Sequence, residues 1–428
     1  MDGVRWNRYL GWSLLIVGFT WAIWLDPWAL SERDPSALPG SVRMAVRQAQ
    51  IVVLSMAFLQ IIVDHVLAVG IFPTLMRRGT AWLTGAGAVA YCLGYAFGSS
   101  WSGIVWLISV GALMNALGFG ILSLFCWSVP NEHSPSELGV LKVILPVIFF
   151  GMLLDAVVGL SAIAPSLTFQ SFIGPEDGVR LRMLRLARVA AVALSVLTIL
   201  YHGLVPQSRG LMGQAGEQTP STNRGQMALL WGTAGMPIIL TAAAFTTVHL
   251  KYLLPLPAFA IFAGTVVGVG LAKRQASPLE LWSWRLIALS MAMGLLMGLY
   301  AFDGPFPSPE FLGAYNDFAR RLSRLGHAYA IVLGLLGIFV ARELNTREPD
   351  PLGQKYLARG AGSVGVPLLV AGSIITIVVI VLVASMALPT RLLGLGPALI
   401  AVATVLCMQP TIVRNGNVRG LDRRRNGN

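Results

Sequence analysis

The chain has 428 residues, of which 55% are apolar and only 12% are charged. A soluble domain is on average about 25% charged, so this chain has too few charges to coat two or three water-soluble domains. The composition indicates a polytopic membrane protein. The net charge of +12 is attributed to basic residues at an anionic membrane leaflet rather than to nucleic-acid binding.

Long apolar stretches recur along the whole chain. A helix needs about 20 apolar residues to cross the hydrocarbon core of a bilayer, and in lipid only helices and closed barrels satisfy the backbone. The expected fold is therefore all-α, in a single membrane domain that covers residues 1–428. Twelve membrane-spanning helices are predicted, at residues 9–25, 48–72, 80–98, 103–127, 139–163, 186–205, 227–249, 254–272, 282–302, 326–342, 363–388 and 392–413.

The distribution of lysine and arginine predicts how these helices are oriented. With the N-terminus in the cytoplasm, 19 of the 31 basic residues fall in cytoplasmic segments and 12 fall outside. Basic residues are enriched on the cytoplasmic side of a membrane. Both termini are therefore expected to be cytoplasmic, in a bacterial-type inner membrane.

Three of the predicted helices begin with a similar basic pattern. Arg47, Arg185 and Arg324 lie near the starts of the second, sixth and tenth helices and are 138 and 139 residues apart. An Arg-Gly pair precedes the third, seventh and eleventh helices. A fixed period indicates an internal repeat, here of four helices taken three times. The units are roughly residues 74–205, 206–342, and 343–428 together with 1–73.

Twelve helices in three four-helix units, with both termini inside, resemble the catalytic subunit of the haem-copper oxidase superfamily, which includes nitric oxide reductases. In that family, helices 2, 6 and 10 carry metal-ligating histidines near their outer ends, and helix 7 adds a pair. Helices 2 and 10 hold the low-spin haem, and helices 6 and 7 bind copper. The resemblance covers the whole chain as topology.

Most of the metal ligands that the resemblance implies are missing. His327 falls at a haem-ligand position on the tenth helix, but Tyr329 replaces the second histidine of the family's His-x-His pattern. The second helix has glutamines at the matching place, and the sixth has Arg188, which cannot ligate a metal. The seventh helix has one histidine, His249, which is too few for copper.

The resemblance therefore implies a relative without the O2- or NO-reducing centre and without copper. At most one b-type haem is expected, ligated by His327, with His249 or another side chain opposite. Arg47, Arg188 and Arg324, together with Arg185, are expected to face a common outer pocket, because guanidinium groups suit carboxylates and phosphates. Haem propionates, lipid headgroups and acidic residues of the outer loops are the alternative ligands of that pocket.

Ionisable side chains inside the membrane form a second group of candidates. Asp64 and His65 lie toward the inner end of the second helix, and His202 ends the sixth helix on the same side. Asp155 lies among apolar neighbours on the fifth helix, which implies a partner within the bundle. Such groups can relay protons or ions. The alternative is that they form hydrogen bonds that fix helix packing.

Two functions are consistent with these patterns. The first is an integral membrane subunit of a respiratory electron-transfer complex, acting as a scaffold or as a single-haem electron-transfer subunit, and not catalytic on its own. Its expected partners are other membrane subunits that carry haem or iron–sulfur clusters, lipids and quinone. The second is a proton- or ion-coupled secondary transporter that uses Asp64, His65 and Asp155. The four-helix period disfavours it, because the commonest twelve-helix transporters have three-helix repeats.

Overall fold

The apolar stretches fold into helices because lipid offers no partner for backbone N–H and C=O groups. The computed structural model describes residues 3–29, 40–68, 71–98, 101–130, 136–163, 178–204, 220–300, 318–345, 364–386 and 390–407, and all regular secondary structure within them is helical. The twelve helices are α1 (Gly3–Ala29), α2 (Gly40–Ala68), α3 (Thr74–Phe97), α4 (Trp106–Ser128), α5 (Ser136–Ile163), α6 (Gly178–His202), α7 (Pro220–Phe245), α8 (Pro255–Gln275), α9 (Pro278–Tyr300), α10 (Phe318–Asn345), α11 (Val366–Met386) and α12 (Leu392–Cys407).

Each predicted span overlaps one of these helices, so the expectation of an all-helical polytopic membrane protein is confirmed. Eight of them, α2 and α4 to α10, are long and apolar enough to cross a membrane, and α11 and α12 contain shorter apolar segments. Several helices begin earlier than predicted: α10 begins at Phe318 and α6 at Gly178. The physical reason is that helical hydrogen bonding continues past the edge of the hydrocarbon, where arginine side chains reach the headgroups.

Successive helices pack as antiparallel neighbours. In the α3–α4 pair Gly94 lies opposite Ile108 and Gly87 opposite Asn115, so the residue numbers run in opposite directions. Contacts of this kind connect each helix to the next from α1 to α12. The 3-10 turn Thr390–Gly394, at the start of α12, also packs against α1 and closes the series into a ring.

Helices α2, α6 and α10 contact one another as well as their sequence neighbours. Helix α2 contacts α6. It meets α10 where Phe58 stacks on Phe339, with ring centroids 5.7 Å apart. Helix α6 meets α10 where Arg342 Nη2 donates to the backbone oxygen of Leu200 at 2.7 Å. The buried share of the apolar segment is 72% for α2, 78% for α6 and 61% for α10, but 28% for α8 and α9, so the three contacting helices are much more enclosed than α8 and α9.

We call the end of the bundle at which α1 begins the N-terminal face. Two ion pairs fix α10 at this face: Arg8 of α1 donates to Glu343, and Arg342 donates to Glu280 of α9 from both Nε and Nη2, each at 3.0 Å. Glu280 is 1% exposed. Helix α10 is therefore held by charges on two sides.

Glycines bring the backbones together in three helix pairs, α3–α4, α7–α8 and α11–α12. Each pair is joined by a short connection that contains a 3-10 turn. A Cβ atom on Gly111 of α4 would lie 2.6 Å from the carbonyl oxygen of Gly87 and 2.4 Å from the backbone nitrogen of Tyr91. Small residues of this kind allow close packing of membrane helices. The facing glycines are Gly87 and Gly111, Gly225 and Gly264, and Gly372 and Gly396.

Candidate functional site

A cluster of polar side chains lies between α3, α5 and α6, in the half of the bundle away from the N-terminal face. We call it the Arg188 cluster; its members are Tyr91, Tyr95, Asp155 and Arg188. Arg188 Nη1 donates to Asp155 Oδ1. Tyr91 and Tyr95 lie close enough to interact electrostatically with both Asp155 and Arg188. The two tyrosine rings meet edge to face, with centroids 5.1 Å apart. The cluster thus connects three helices.

The sequence positions these four side chains through helix geometry. Tyr91 and Tyr95 are four residues apart on α3 and so share one face. On α5, Gly151 permits close approach to α6, because a Cβ atom there would lie 2.7 Å from the Ala191 Cβ atom. Asp155 lies one turn after Gly151 and therefore reaches Arg188 on the facing helix.

Burial makes the Asp155–Arg188 ion pair energetically important. Asp155 is 5% exposed and Arg188 is 8% exposed. A buried charge is tolerated only when it is paired and hydrogen-bonded. The sequence predicted that Asp155 has a partner within the bundle, and in the structure that partner is Arg188. The buried Nε of Arg188 has no hydrogen-bond partner among the described residues.

Of the arginines predicted to face a common outer pocket, Arg188 is buried in an ion pair with Asp155. Arg185, three residues earlier on α6, is exposed, whereas Arg188 is buried against α3 and α5. Arg324 is partly buried on α10. The side chain of Arg47 lies outside the described residues. The common pocket of arginines stays a prediction. Arg188 forms an ion pair with Asp155.

His327 of α10 is turned toward α9. Its ring lies beside Gly294, where an added Cβ atom would be 2.6 Å from the His327 Cε1 atom. Its Nδ1 atom is 2.9 Å from Ser290 Oγ and 2.8 Å from the Ser290 backbone oxygen. A proton on Nδ1 can be donated to that carbonyl, which leaves Nε2 as the ligating atom of the ring.

The second candidate ligand, His249, lies in a different environment. It belongs to the 3-10 turn Val248–Leu253 between α7 and α8. Its side chain is exposed, and its ring stacks on Tyr252 with centroids 6.2 Å apart. No described contact joins His249 to His327.

The residues at the α2–α10 interface do not fit a haem held between those helices. Phe58 and Phe339 stack directly on each other there. Closer to the starts of both helices, Gln50 Nε2 donates to the Tyr329 hydroxyl at 3.4 Å. Side chains therefore fill this interface at two levels. Whether His327 ligates a haem at all stays a prediction.

The candidate relay residues lie in two separate places. Asp64 and His65 are in the last turn of α2 at the N-terminal face, where Asp64 is partly buried and His65 is exposed. His202, which is buried, ends α6 at the same face. Asp155 lies in the Arg188 cluster instead. At 1.5 Å per residue, Asp64 and the cluster are roughly 15 Å apart in depth.

Four interacting residues were not identified from the sequence. Tyr91 and Tyr95 complete the Arg188 cluster, and their spacing of four residues in an apolar helix is the signal that could have revealed them. Glu280 and Arg342 form the ion pair between α9 and α10. They are 62 residues apart in the chain, and no local pattern relates them.

Comparison with known proteins adds no family to this description. No model of a known protein family matches the chain, and no curated protein matches it. The function has to be inferred from the arrangement of the side chains.

Proposed function

We propose that this protein is an integral membrane subunit of a respiratory electron-transfer complex, with the architecture of a haem-copper oxidase catalytic subunit. It lacks the O2- or NO-reducing centre and is not catalytic on its own. It acts as a scaffold for membrane subunits that carry haem or iron–sulfur clusters, with lipids and quinone as further partners. It lies in a bacterial-type inner membrane, with both termini in the cytoplasm.

The mutual contact of α2, α6 and α10 carries this proposal. These are the three helices on which the resemblance places metal ligands, and each of them contacts the other two. Helices α2 and α10 run parallel, since Gln50 faces Tyr329 and Phe58 faces Phe339. The three glycine-paired hairpins add support for three four-helix units.

Side-chain contacts occupy the places where a redox enzyme of this architecture would hold metals, which favours the scaffold role. On α6, Arg188 is committed to an ion pair with Asp155. On α2, Gln50 bonds to Tyr329 of α10. Such contacts hold the helices together without a cofactor. The single-haem form of the proposal depends on His327, whose Nδ1 contact with Ser290 is of the kind that orients a ligating imidazole.

A visible spectrum of the purified full-length protein, reduced minus oxidised, tests both forms of the proposal. The scaffold form predicts no haem bands from this chain and co-purification of pigmented partner subunits under mild solubilisation. The single-haem form predicts Soret and α bands that disappear in His327→Ala and persist in His249→Ala, unless His249 is the second ligand. A colourless protein that purifies alone, without redox partners, would overturn the proposal.

A secondary transporter is the second candidate, and the buried Asp155 is the observation in its favour. A carboxylate in a low-dielectric site can bind and release a coupling ion. The depth difference between Asp155 and the Asp64–His65 pair argues against one coupling site that contains all three. Reconstitution in vesicles with an imposed pH gradient tests it: proton uptake that depends on Asp155 and is lost in Asp155→Asn would support transport.

A further inference from the structure

Three basic side chains lie exposed on the outer surface of the α8–α9 pair, near the N-terminal face. Lys273 and Arg274 occupy the last turn of α8. Arg285 lies on α9, which begins at Pro278. At 1.5 Å per residue, its Cα atom is about 10 Å along the helix from that start. Arg285 therefore presents a charge to the side of the bundle about two helical turns from the start of α9.

The register of the two helices places Lys273 and Arg285 at neighbouring depths on adjacent helices. A Cβ atom on Gly268 of α8 would lie 3.0 Å from the Trp284 ring, so these two residues are at the same level. Lys273 is then about 9 Å nearer the N-terminal face than Arg285. The two-residue connection Ala276–Ser277 keeps the ends of α8 and α9 adjacent.

Arg285 differs from the two arginines of this face that form ion pairs. Arg8 pairs with Glu343, and Arg342 pairs with Glu280. Glu280, the acidic residue of α9, is buried and forms its ion pair with Arg342 rather than with Arg285. Among the residues that the structure describes, Arg285 has no ion pair or hydrogen bond. A guanidinium at this depth is costly unless it reaches a negative group.

The surface around Arg285 is suited to a lipid. Trp282, one turn earlier on α9 and on the side toward α10 and α11, is 41% exposed, and tryptophan favours the headgroup level of a membrane. Leu289 on α9 and Val266 on α8 are 60% and 48% exposed. Acyl chains can lie along these apolar side chains while a headgroup stays near the basic ones.

We propose that Lys273, Arg274 and Arg285 bind the headgroup of an anionic phospholipid on the outer surface of the α8–α9 pair. The planar guanidinium of Arg285 can form two parallel hydrogen bonds to a phosphate. Lys273 and Arg274 add the positive potential that selects an anionic lipid over a zwitterionic one. The proposal does not depend on the respiratory role, because it concerns the lipid-facing surface alone.

Native mass spectrometry of the full-length protein in detergent, titrated with phosphatidylglycerol or phosphatidylcholine, tests the proposal. We expect tighter binding of phosphatidylglycerol, weakened about fivefold in Arg285→Gln and about a hundredfold in the variant with all three residues changed to glutamine. Arg285→Lys should bind phosphatidylglycerol more tightly than Arg285→Gln, since it keeps the positive charge but loses the planar guanidinium that can form two parallel hydrogen bonds.

The matched control is Lys251→Gln. Lys251 lies in the 3-10 turn at the other end of the bundle, where its ammonium group is 5.2 Å from the Tyr252 ring centroid. Its loss should leave phosphatidylglycerol binding unchanged. Equal binding of the two lipids, or full binding by Arg285→Gln, would overturn the proposal. So would co-purification of an acidic protein subunit that Arg285→Gln releases while lipid binding stays unchanged.

Discussion

At the scale of single residues, the Asp155–Arg188 pair is a buried charge interaction that joins α5 to α6. Both side chains are buried, and the two tyrosines of α3 lie beside them. Removing water from two charges costs free energy, which their attraction and hydrogen bonds offset only while both partners are present. The pair therefore makes folding sensitive to the loss of either member.

We expect Arg188→Met to destabilise the folded protein by about 3–5 kcal/mol, because it leaves the Asp155 carboxylate buried without a cation. The double variant Arg188→Met with Asp155→Leu should recover most of that loss, since no unpaired charge remains. Unfolding in mixed detergent micelles, followed by circular dichroism, measures these differences.

Arg185→Met is the control for that comparison, because Arg185 is exposed on the same helix. Its effect should stay within about 0.5 kcal/mol. If Arg188→Met were as stable as the Arg185 variant, the ion pair would not contribute to folding. A double variant less stable than Arg188→Met would show that Asp155 has other partners of similar strength.

At the scale of helices, close backbone contact at glycines determines how neighbours pack. Dispersion forces and tight packing drive helix association in lipid, where burial of apolar surface contributes little. The α3–α4 pair relies on Gly87 and Gly111, and the α11–α12 pair on Gly372 and Gly396. A methyl group at such a contact forces the helices apart.

We expect Gly111→Ala to destabilise the protein by about 1–3 kcal/mol, because its Cβ atom would overlap the backbone of α3. Gly270→Ala on α8 is the matched control, since nothing lies within 4 Å of the added atom. Thermal denaturation of the two variants in the same detergent measures the difference. Equal melting temperatures would contradict the role of backbone contact in this pair.

At the scale of the whole molecule, contacts run from α1 to α12 and return to α1 through the turn at Thr390–Gly394. Antiparallel neighbours in such a ring place successive connections on alternate faces. The α8–α9 connection at Ala276–Ser277 therefore lies at the N-terminal face, and the 3-10 turn Val248–Leu253 lies at the other. The excess of basic residues predicts that the N-terminal face is cytoplasmic.

Cysteine labelling in intact cells tests this orientation. A membrane-impermeant maleimide should label Tyr252→Cys directly and Ala276→Cys only after the cells are permeabilised. The native cysteines Cys92, Cys126 and Cys407 are buried, so their background labelling should be low. The opposite pattern of labelling would reverse the orientation, and labelling of both positions in intact cells would contradict a fold that spans the membrane.

The sequence by itself determined the class of fold, an all-helical polytopic membrane protein. Hydrophobic length predicts a spanning helix directly, because a bilayer of fixed thickness leaves the backbone no other way to satisfy its hydrogen bonds. The apolar neighbours of Asp155 in the sequence also predicted that its carboxylate has a partner in the bundle. The ends of helices such as α6 and α10 could not be predicted from the sequence, because hydropathy marks the edge of the lipid rather than the last hydrogen bond of the helix.

Only the tertiary structure decided which side chains meet. Arg188 was predicted to face an outer pocket, and its pairing with Asp155, 33 residues away, depends on the packing of α5 against α6. The Arg342–Glu280 pair depends in the same way on the contact between α9 and α10. Hydrophobic periodicity places residues on a helix, but the rotation of each helix about its axis is set by close packing with neighbours that are distant in the chain.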